Sequence, residues 1–545
     1  MELLKHLDAS YMIGLRPYQQ MLFNPNQALR EICPPTINDL SSVLSGRKDY
    51  ATESVDRPQL VESLITAHKL RHAPPSSFES IKYLKQSDCH MIITGQQPGL
   101  LGGPLYTFYK VIHAVILAKR LSQERQETFI PVLWDASEDH DFLEIAKLNW
   151  LSKNKDIASY QWSGTGDNKL PLFNIPADQT PLDDLTTKIE ESTFHTDFTE
   201  NILEQFGSCL SNSVSYPDFF DGLMWKLFED DGLVIIRPED EWFRELSRPL
   251  IEREIREPSR SSAGVNRISY ALHKSGLPPQ IHKRDDRTSF FLIDNNQRVP
   301  VYISGDGFTS DSGVSYSTDD LLNKLVSHPQ AFSPSAVLRP IIQDAVLPVA
   351  ASVLGPSELA YHFLLQNMYD FHQTPRPCLI PRFGLTLVDA REHKLMKRYE
   401  ISTTDLAANP SALVKRIARD DTALDWREKK QITDSSLSEL FDAWKKHSES
   451  IDPSLVNQLQ KNSAKIQKEL ERSEALLIRK IAEKDNQVLK HIKALQNSLY
   501  PEGGLQERTF NIFQYIFKFG PDFLACLKNL CETIEDGEHH FVLIP

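Results

Sequence analysis

The stretch from Met91 to Trp134 constrains the fold more than any other. An apolar run, Met91-Ile92-Ile93, enters a loop, Thr94 to Pro104, that holds four of the chain's 22 glycines. A helix-like segment follows from Tyr106 to Leu121, with apolar residues at Val111, Ile112, Val115, Ile116 and Leu117. Phe129-Ile130-Pro131-Val132-Leu133-Trp134 then reads as a short buried strand. Strand, helix and strand within about 45 residues predict a βαβ unit with a right-handed crossover, and so a parallel sheet.

A glycine loop between strand and helix is also how many proteins hold a phosphate, but the spacing here fits neither established motif. No lysine follows Gly102 or Gly103, as GxxxxGK[ST] requires, and Gln96-Gln97-Pro98 interrupts GxGxxG after Gly95. The position still allows backbone N–H groups to face an anion. Gln96 and Gln97 add donors and acceptors suited to neutral polar groups such as sugar hydroxyls. Lys110 could reach an anion, although a helix lysine with its head in solvent is the commoner arrangement.

Around this unit, residues 1–90 read as mostly helical, broken at Cys33-Pro34-Pro35 and Ala73-Pro74-Pro75. Further strands are expected at Gly232–Ile236, Phe290–Ile293 and Arg298–Ile303, with helices through much of 183–228 and 240–276. That alternation predicts an α/β, Rossmann-like parallel-sheet core over 1–385, with a helical connecting insertion at about 150–230. After Leu385 the character changes, and glycine is absent from 385 through 502. Apolar pairs recur every 11 residues at Leu455/Leu459, Ile466/Leu470, Leu477/Ile481 and Val488/Ile492, then Leu499. This period keeps an apolar stripe nearly straight along a helix. With Leu437, Leu440, Phe441 and Trp444 upstream and Asp452-Pro453 at the joint, 386–504 is expected to form a C-terminal α-helical coiled-coil hairpin. Residues 505–545 should pack back on the core as a helical segment.

Charge narrows the function classes. With 74 acidic and 60 basic residues the net charge is −14, so no global field draws nucleic acid or an anionic membrane. An anionic ligand must be met locally. No apolar run approaches the ~20 residues that span a bilayer, and the N-terminus lacks the long apolar core of a signal peptide. The six cysteines show no CxxC and no zinc-ligand spacing, and Cys526 and Cys531 read as buried thiols on one amphipathic helix. A cytoplasmic protein with reduced cysteines is expected.

The densest ionisable cluster, Glu138-Asp139-His140-Asp141, follows directly on the strand that ends at Trp134. Crowded carboxylates raise one another's pKa and a neighbouring imidazolium lowers theirs, so acid–base work near neutral pH is feasible there. Carboxylates and imidazole also ligate metals, but adjacent residues rarely ligate together and no HExxH is present, so no metal site is assigned. An acidic N-cap on a helix through Leu143, Ile145 and Ala146 explains the cluster equally well. A second cluster runs from Ser335 through Arg339, Gln343 and Asp344 to Gly355-Pro356-Ser357-Glu358. Arg339 sits among apolar residues and beside a proline, so it needs a partner: Asp344, Glu358 or a ligand carboxylate. Arg382, in Ile380-Pro381-Arg382-Phe383, poses the same question.

Six segments in this order resemble the bacillithiol biosynthesis cysteine-adding enzymes, the cysteine ligases BshC. They are TGQQPGLLGGPLYTFYK, PVLWDASEDHDFLEI, SPSAVLRPIIQD, LGPSELAYH, IPRFG and LYPEGGLQERTFN, spanning residues 94 to 511. Each alone is weak, and six in order are specific. The chain departs from that family's usual pattern at Ser335, commonly asparagine, and at Ala351-Ser352-Val353-Leu354. The resemblance implies a Rossmann-like core related in layout to class I aminoacyl-tRNA synthetases, with a coiled coil that mediates homodimerisation. Their HxGH signature is absent here, so adenylate chemistry does not follow from fold likeness.

The implied reaction joins the cysteine carboxylate to the amine of glucosaminyl-malate, the last step of bacillithiol biosynthesis. A free carboxylate needs activation, for which ATP is the candidate, and the amine needs a base. His140, oriented by Asp139 or Asp141, is the first choice and Glu138 the second. Gly95, Gln96, Gln97 and Tyr106 would hold sugar hydroxyls or the reacting carbonyl. Arg339 and Arg382, beside Gln343, Asp344 and Glu358, would meet the malate carboxylates. Gln506-Glu507-Arg508 is either a nucleotide contact or a structural clamp. Two rival classes stay open: a metal-dependent hydrolase or transferase built on Glu138, Asp139, His140 and Asp141, and a non-catalytic coiled-coil scaffold.

Overall fold

The computed structural model describes residues 1–7, 16–25, 27–54, 56–163, 170–178, 180–193, 196–281, 283–407, 413, 416–417, 423–452, 454–484 and 486–545. The chain divides into two units. One holds Met1–Lys153, Ile157–Leu387 and Leu505–Pro545; the other holds Asn154–Asp156 and Val388–Gly504.

The first unit is built on a five-stranded sheet. From one edge to the other its strands are Cys378–Pro381, Val349–Leu354, Cys89–Gln96, Thr128–Asp135 and Val234–Ile236. Every neighbouring pair is parallel. Val349–Leu354 is buried throughout, and Cys89–Gln96 along all but its last two residues, as expected for strands covered on both faces. In chain order the sheet grows from Cys89–Gln96 to one side, then returns to add Val349–Leu354 on the other. The order therefore reverses between these two strands, where the Thr94 hydroxyl donates to the Val353 carbonyl at 2.9 Å. This is the Rossmann-like order with its topological switch point.

The expected strand–loop–helix–strand unit is present as Cys89–Gln96, Leu105–Arg125 and Thr128–Asp135. Its glycines serve a tight reversal. A Cβ on Gly99 would lie 2.6 Å from the Gly103 Cα, and Gly102, at φ +83°, would meet the Phe108 ring. The backbone polar groups of the turn are spent on the protein: Leu105 N–H donates to the Phe510 carbonyl at 2.7 Å, and the Asn511 side chain donates to the carbonyls of Leu101 and Gly103. The Leu105 N–H at the helix start is thus taken by the protein itself.

The predicted strands at Phe290–Ile293 and Arg298–Ile303 exist but not in this layer. They lie within Arg287–Asp294 and Gln297–Ser304, the middle of a separate antiparallel five-stranded sheet. Asn295 and Asn296, both at positive φ, form the two-residue turn that folds one strand back on the other. Between the second and third parallel strands come a hairpin, Lys147–Leu151 with Ile157–Gln161, and helices Thr180–Ser192, Thr199–Ser211 and Tyr216–Leu227. Cys531 is buried as expected, but Cys526, five residues away, turns to the surface. No described helix is long and apolar enough to cross a membrane.

The second unit contains Ala423–Glu449 and Ser454–Lys484, two long helices that pack on one another, followed by Asn486–Leu499. Lys430 Nζ and Glu474 Oε2, 3.3 Å apart, tie the pair. Pro453 at the joint and the side chains of Leu477 and Ile481 lie outside the described residues. The predicted stripe is buried at one end, where Val488, Ile492 and Leu499 pack, and open in the middle, where Leu455, Ile466 and Leu470 are 36–42 % exposed.

Candidate active site

A cavity of about 330 Å³ opens where the parallel strands end, at the switch point. Open α/β sheets bind ligands there because the loops leave on opposite sides and part. Gly95, Gln96 and Gln97 line it after the first strand; Trp134, Ala136, Asp139 and Glu144 after the second; Gly355 to Glu358 after the fourth; Arg382 after the fifth. Tyr106 and Lys110 project one helical turn apart from Leu105–Arg125, and Arg339, Tyr361 and Arg508 complete the wall.

Lys110 is almost fully buried rather than headed to solvent. Its ammonium donates to the Gly95 carbonyl at 2.8 Å and to Gln96 Oε1 at 3.1 Å, and pairs with Glu358 Oε2 at 2.6 Å. All three N–H bonds are used. Burial lowers the Lys110 pKa against the opposing pull of Glu358. The same Glu358 oxygen accepts the Gly355 N–H at 2.8 Å, the capping-box bond of the helix Pro356–His362.

Arg382 has its partner in Glu507, with Nη2 to Oε1 at 2.5 Å and Nη1 to Oε2 at 3.1 Å. Burial would raise the Glu507 carboxyl, but Arg382 and His539 outweigh it and hold the group below its ordinary value. Arg382 Nε–H, by contrast, is buried with no partner among the described residues, and so is the indole N–H of Trp134. Arg339 meets Asp139 Oδ2 at 3.9 Å and hydrogen-bonds Tyr361. Asp139 in turn accepts from Gln97 at 2.9 Å and from Arg298 at 3.3 Å.

Of the residues singled out from sequence, the structure brings Gly95, Gln96, Gln97, Tyr106, Asp139, Arg339, Glu358, Arg382 and Arg508 onto one cavity. The others face elsewhere. Glu138 is buried and paired with the Arg244 guanidinium. His140 is half-buried beside Phe291, ring centroids 6.4 Å apart, with Nδ1 unpartnered. Burial and then Arg298 lower its pKa against Asp139 and Asp141, so the ring is neutral at pH 7. Asp139 does not orient it, because its oxygens go to Gln97, Arg298 and Arg339. Asp141 precedes the one-turn helix Phe142–Ile145 but makes no side-chain cap bond, so the capping explanation of the cluster is not realised either. Glu138, Asp139 and His140 diverge, and among the described residues no three His, Cys, Asp or Glu side chains are arranged to hold a metal ion.

Asp344 is fully buried, accepts from Tyr369 at 2.5 Å and from Gln343 at 3.0 Å, and is pushed up to about 6 by burial. It is five residues beyond Arg339 on the same helix, about 140° around the axis, so the two cannot face one ligand. Gln506 satisfies both backbone groups of Leu387, at 2.8 and 2.9 Å. Gln506 and Glu507 are therefore clamps, and Arg508 alone of the three reaches the cavity. Trp134, Tyr361 and Glu144 also line the cavity and are not among the residues expected from sequence. For Glu144 a signal existed: it stands one turn beyond Asp141.

The profile described as bacillithiol biosynthesis BshC, N-terminal Rossmann-like domain, matches residues 33–383, and that of the BshC C-terminal coiled-coil domain matches 385–544. A protein of Salinibacter ruber named "Putative cysteine ligase BshC" is 30 % identical over 485 residues, covering 89 % of this chain and 88 % of its own. Proteins of the same name from Bacillus licheniformis and Lysinibacillus sphaericus are 28 % and 26 % identical, covering 88 % and 96 % of this chain and 90 % and 96 % of their own. A parallel-sheet core with its cavity at the switch point, a long helical hairpin, and matches that run almost end to end all agree: the chain belongs to the BshC family of bacillithiol biosynthesis.

Proposed function

We propose that the chain is a ligase that forms an amide between the carboxylate of cysteine and the amine of glucosaminyl-malate. The observation that carries this reading is the cationic part of the cavity lining. Arg339 lines it and is only loosely engaged by Asp139, and Arg508 lines it and is exposed. A guanidinium with bonding capacity to spare favours a ligand rich in acceptors. Malate carboxylates and sugar hydroxyls supply such acceptors, and Gln96 and Gln97 suit the hydroxyls. In an acidic chain this wall answers the need for local positive charge.

Amide formation from a free carboxylate is uphill in water, and ATP is our candidate for its activation. Arg508, exposed and at the cavity, is the member of the 506–508 group free to meet a phosphate. The protein works in the cytoplasm in this reading, as a homodimer. The exposed apolar row on the hairpin, with Leu440, Trp444, Leu455 and Ile466 each more than 40 % exposed, supports a second copy as its partner.

The test is direct. Purified protein incubated with glucosaminyl-malate, cysteine and ATP should yield the cysteinyl amide by mass spectrometry, and deleting the gene should make glucosaminyl-malate accumulate. Normal thiol pools after deletion would refute the reading.

A further inference from the structure

Three carboxylates line the cavity, and two are already committed. Asp139 holds Gln97, Arg298 and Arg339, and Glu358 holds Lys110 and the Gly355 N–H. The third, Glu144, makes no side-chain hydrogen bond or ion pair among the described residues. Its backbone is nonetheless firmly placed. The one-turn helix Phe142–Ile145 buries both of its ends, and Phe142 packs edge-to-face on Trp162 with ring centroids 4.9 Å apart. A fixed Cα with an uncommitted carboxylate at a cavity wall is how a protein presents a proton acceptor.

The surroundings suit that task. The Glu144 side chain is exposed where the cavity meets solvent. The partial desolvation of its carboxyl, then Asp141 and Asp139, raise its pKa, and Arg508 opposes them. A carboxylate shifted upward is a stronger base, closer to an amine's needs at neutral pH. The imidazole favoured from sequence, His140, does not line the cavity. The cavity also offers both signs of charge, with the Arg339, Arg382 and Arg508 guanidinium groups and the Glu144 carboxylate in its lining.

We propose that Glu144 is the catalytic residue that takes the proton from the attacking amine. One N–H bond of the substrate ammonium breaks and its proton passes to the Glu144 carboxylate, leaving a neutral amine and a carboxylic acid. The freed lone pair then forms the C–N bond at the carbonyl carbon of an acyl phosphate made with ATP. The C–O bond to phosphate breaks, and its electron pair leaves with the phosphate, which also takes the second proton of the nitrogen. Glu144 returns its own proton to water at the cavity mouth. The assignment rests on the ligase reading above.

The test compares wild type, Glu144→Gln, Glu144→Asp and His140→Ala in the product assay, with L-malate titrated calorimetrically as a probe of the cationic wall. Glu144→Gln should lose on the order of 10²–10⁴-fold in kcat at pH 7, keep its malate affinity within about threefold, and regain activity as pH rises and the amine loses its proton unaided. Glu144→Asp should fall between the two. A Glu144→Gln enzyme with wild-type kcat and pH profile overturns the proposal, as does one whose loss is matched by lost malate binding or a lowered Tm. An acidic limb that disappears in His140→Ala but persists in Glu144→Gln overturns it in favour of the imidazole. A wild type that makes no product in any of these mixtures refutes the ligase reading itself, and the Glu144 assignment with it.

Discussion

Lys110 Nζ lies 2.6 Å from Glu358 Oε2 and joins the two sides of the switch point. Lys110 belongs to the helix that follows the first parallel strand and Glu358 to the helix that follows the fourth. Through the Gly95 and Gln96 oxygens the same ammonium also fixes the loop that carries the two glutamines. Removing one partner of a buried pair costs about 3–5 kcal/mol. Water reaching Glu358 from the cavity places Lys110→Met at the lower end, as read by urea unfolding. The double variant Lys110→Met/Glu358→Gln should recover part of the loss, and strict additivity would show that the two groups are not coupled.

Glu507 gives the fold a dependence on acid. Its folded carboxyl is held low by Arg382 and His539, so as pH falls the unfolded chain takes up this proton first. The stabilisation is complete above the ordinary glutamate value of about 4.3 and drains away as pH drops through the lower folded value. Wild type should therefore lose stability more steeply with acid than Glu507→Gln. At neutral pH the variant should be the weaker, and the curves should converge at low pH. Urea midpoints measured from pH 7 downward check this, and parallel curves would contradict it.

The strand–loop–helix–strand unit from Met91 to Trp134 and the arginines of the cavity wall are legible in sequence because they rest on local signals, whereas the parallel strands Val349–Leu354 and Cys378–Pro381 are not among the expected ones. Buried strands read as apolar runs, and an arginine between apolar residues, such as Arg339 or Arg382, announces an unusual environment. What escaped depends on contacts distant in sequence. Glu138 finds Arg244, 106 residues away, and Arg382 finds Glu507, 125 residues away. No spacing rule anticipates either. The antiparallel sheet differs again: Asn295-Asn296 is a hairpin turn in plain view, whereas apolar content alone does not distinguish its two strands from those of the parallel layer. Asp344 illustrates a third limit, since neighbours in sequence on a helix need not share a face.

On the helical hairpin the exposed row predicts association. Replacing Leu455 and Ile466, each 42 % exposed, by aspartate should leave the helices formed by circular dichroism, because neither residue is in the hairpin's buried part. It should halve the sedimenting mass if a second copy covers the row. An unchanged mass in the double variant, or a monomeric wild type at micromolar concentration, would rule that arrangement out.

Arg339 separates a ligand contact from a structural one. Its nearest acidic neighbour, Asp139, is 3.9 Å away and already accepts from Gln97 and Arg298, so Arg339 is the least committed of the guanidinium groups paired at the wall. Arg339→Gln should therefore cost little stability, because Asp139 keeps two donors. If a malate carboxylate takes the guanidinium, a charge-assisted pair of about 1.5–3 kcal/mol is lost, which is roughly a 10–150-fold rise in Kd for L-malate by calorimetry. The KM for cysteine should move far less than that for glucosaminyl-malate. Arg339→Lys keeps the charge but not the planar fork, and should recover only part of the affinity. Equal losses for both substrates, or a fall in Tm as large as that of Lys110→Met, would mean that Arg339 supports Tyr361 and Asp139 rather than a ligand.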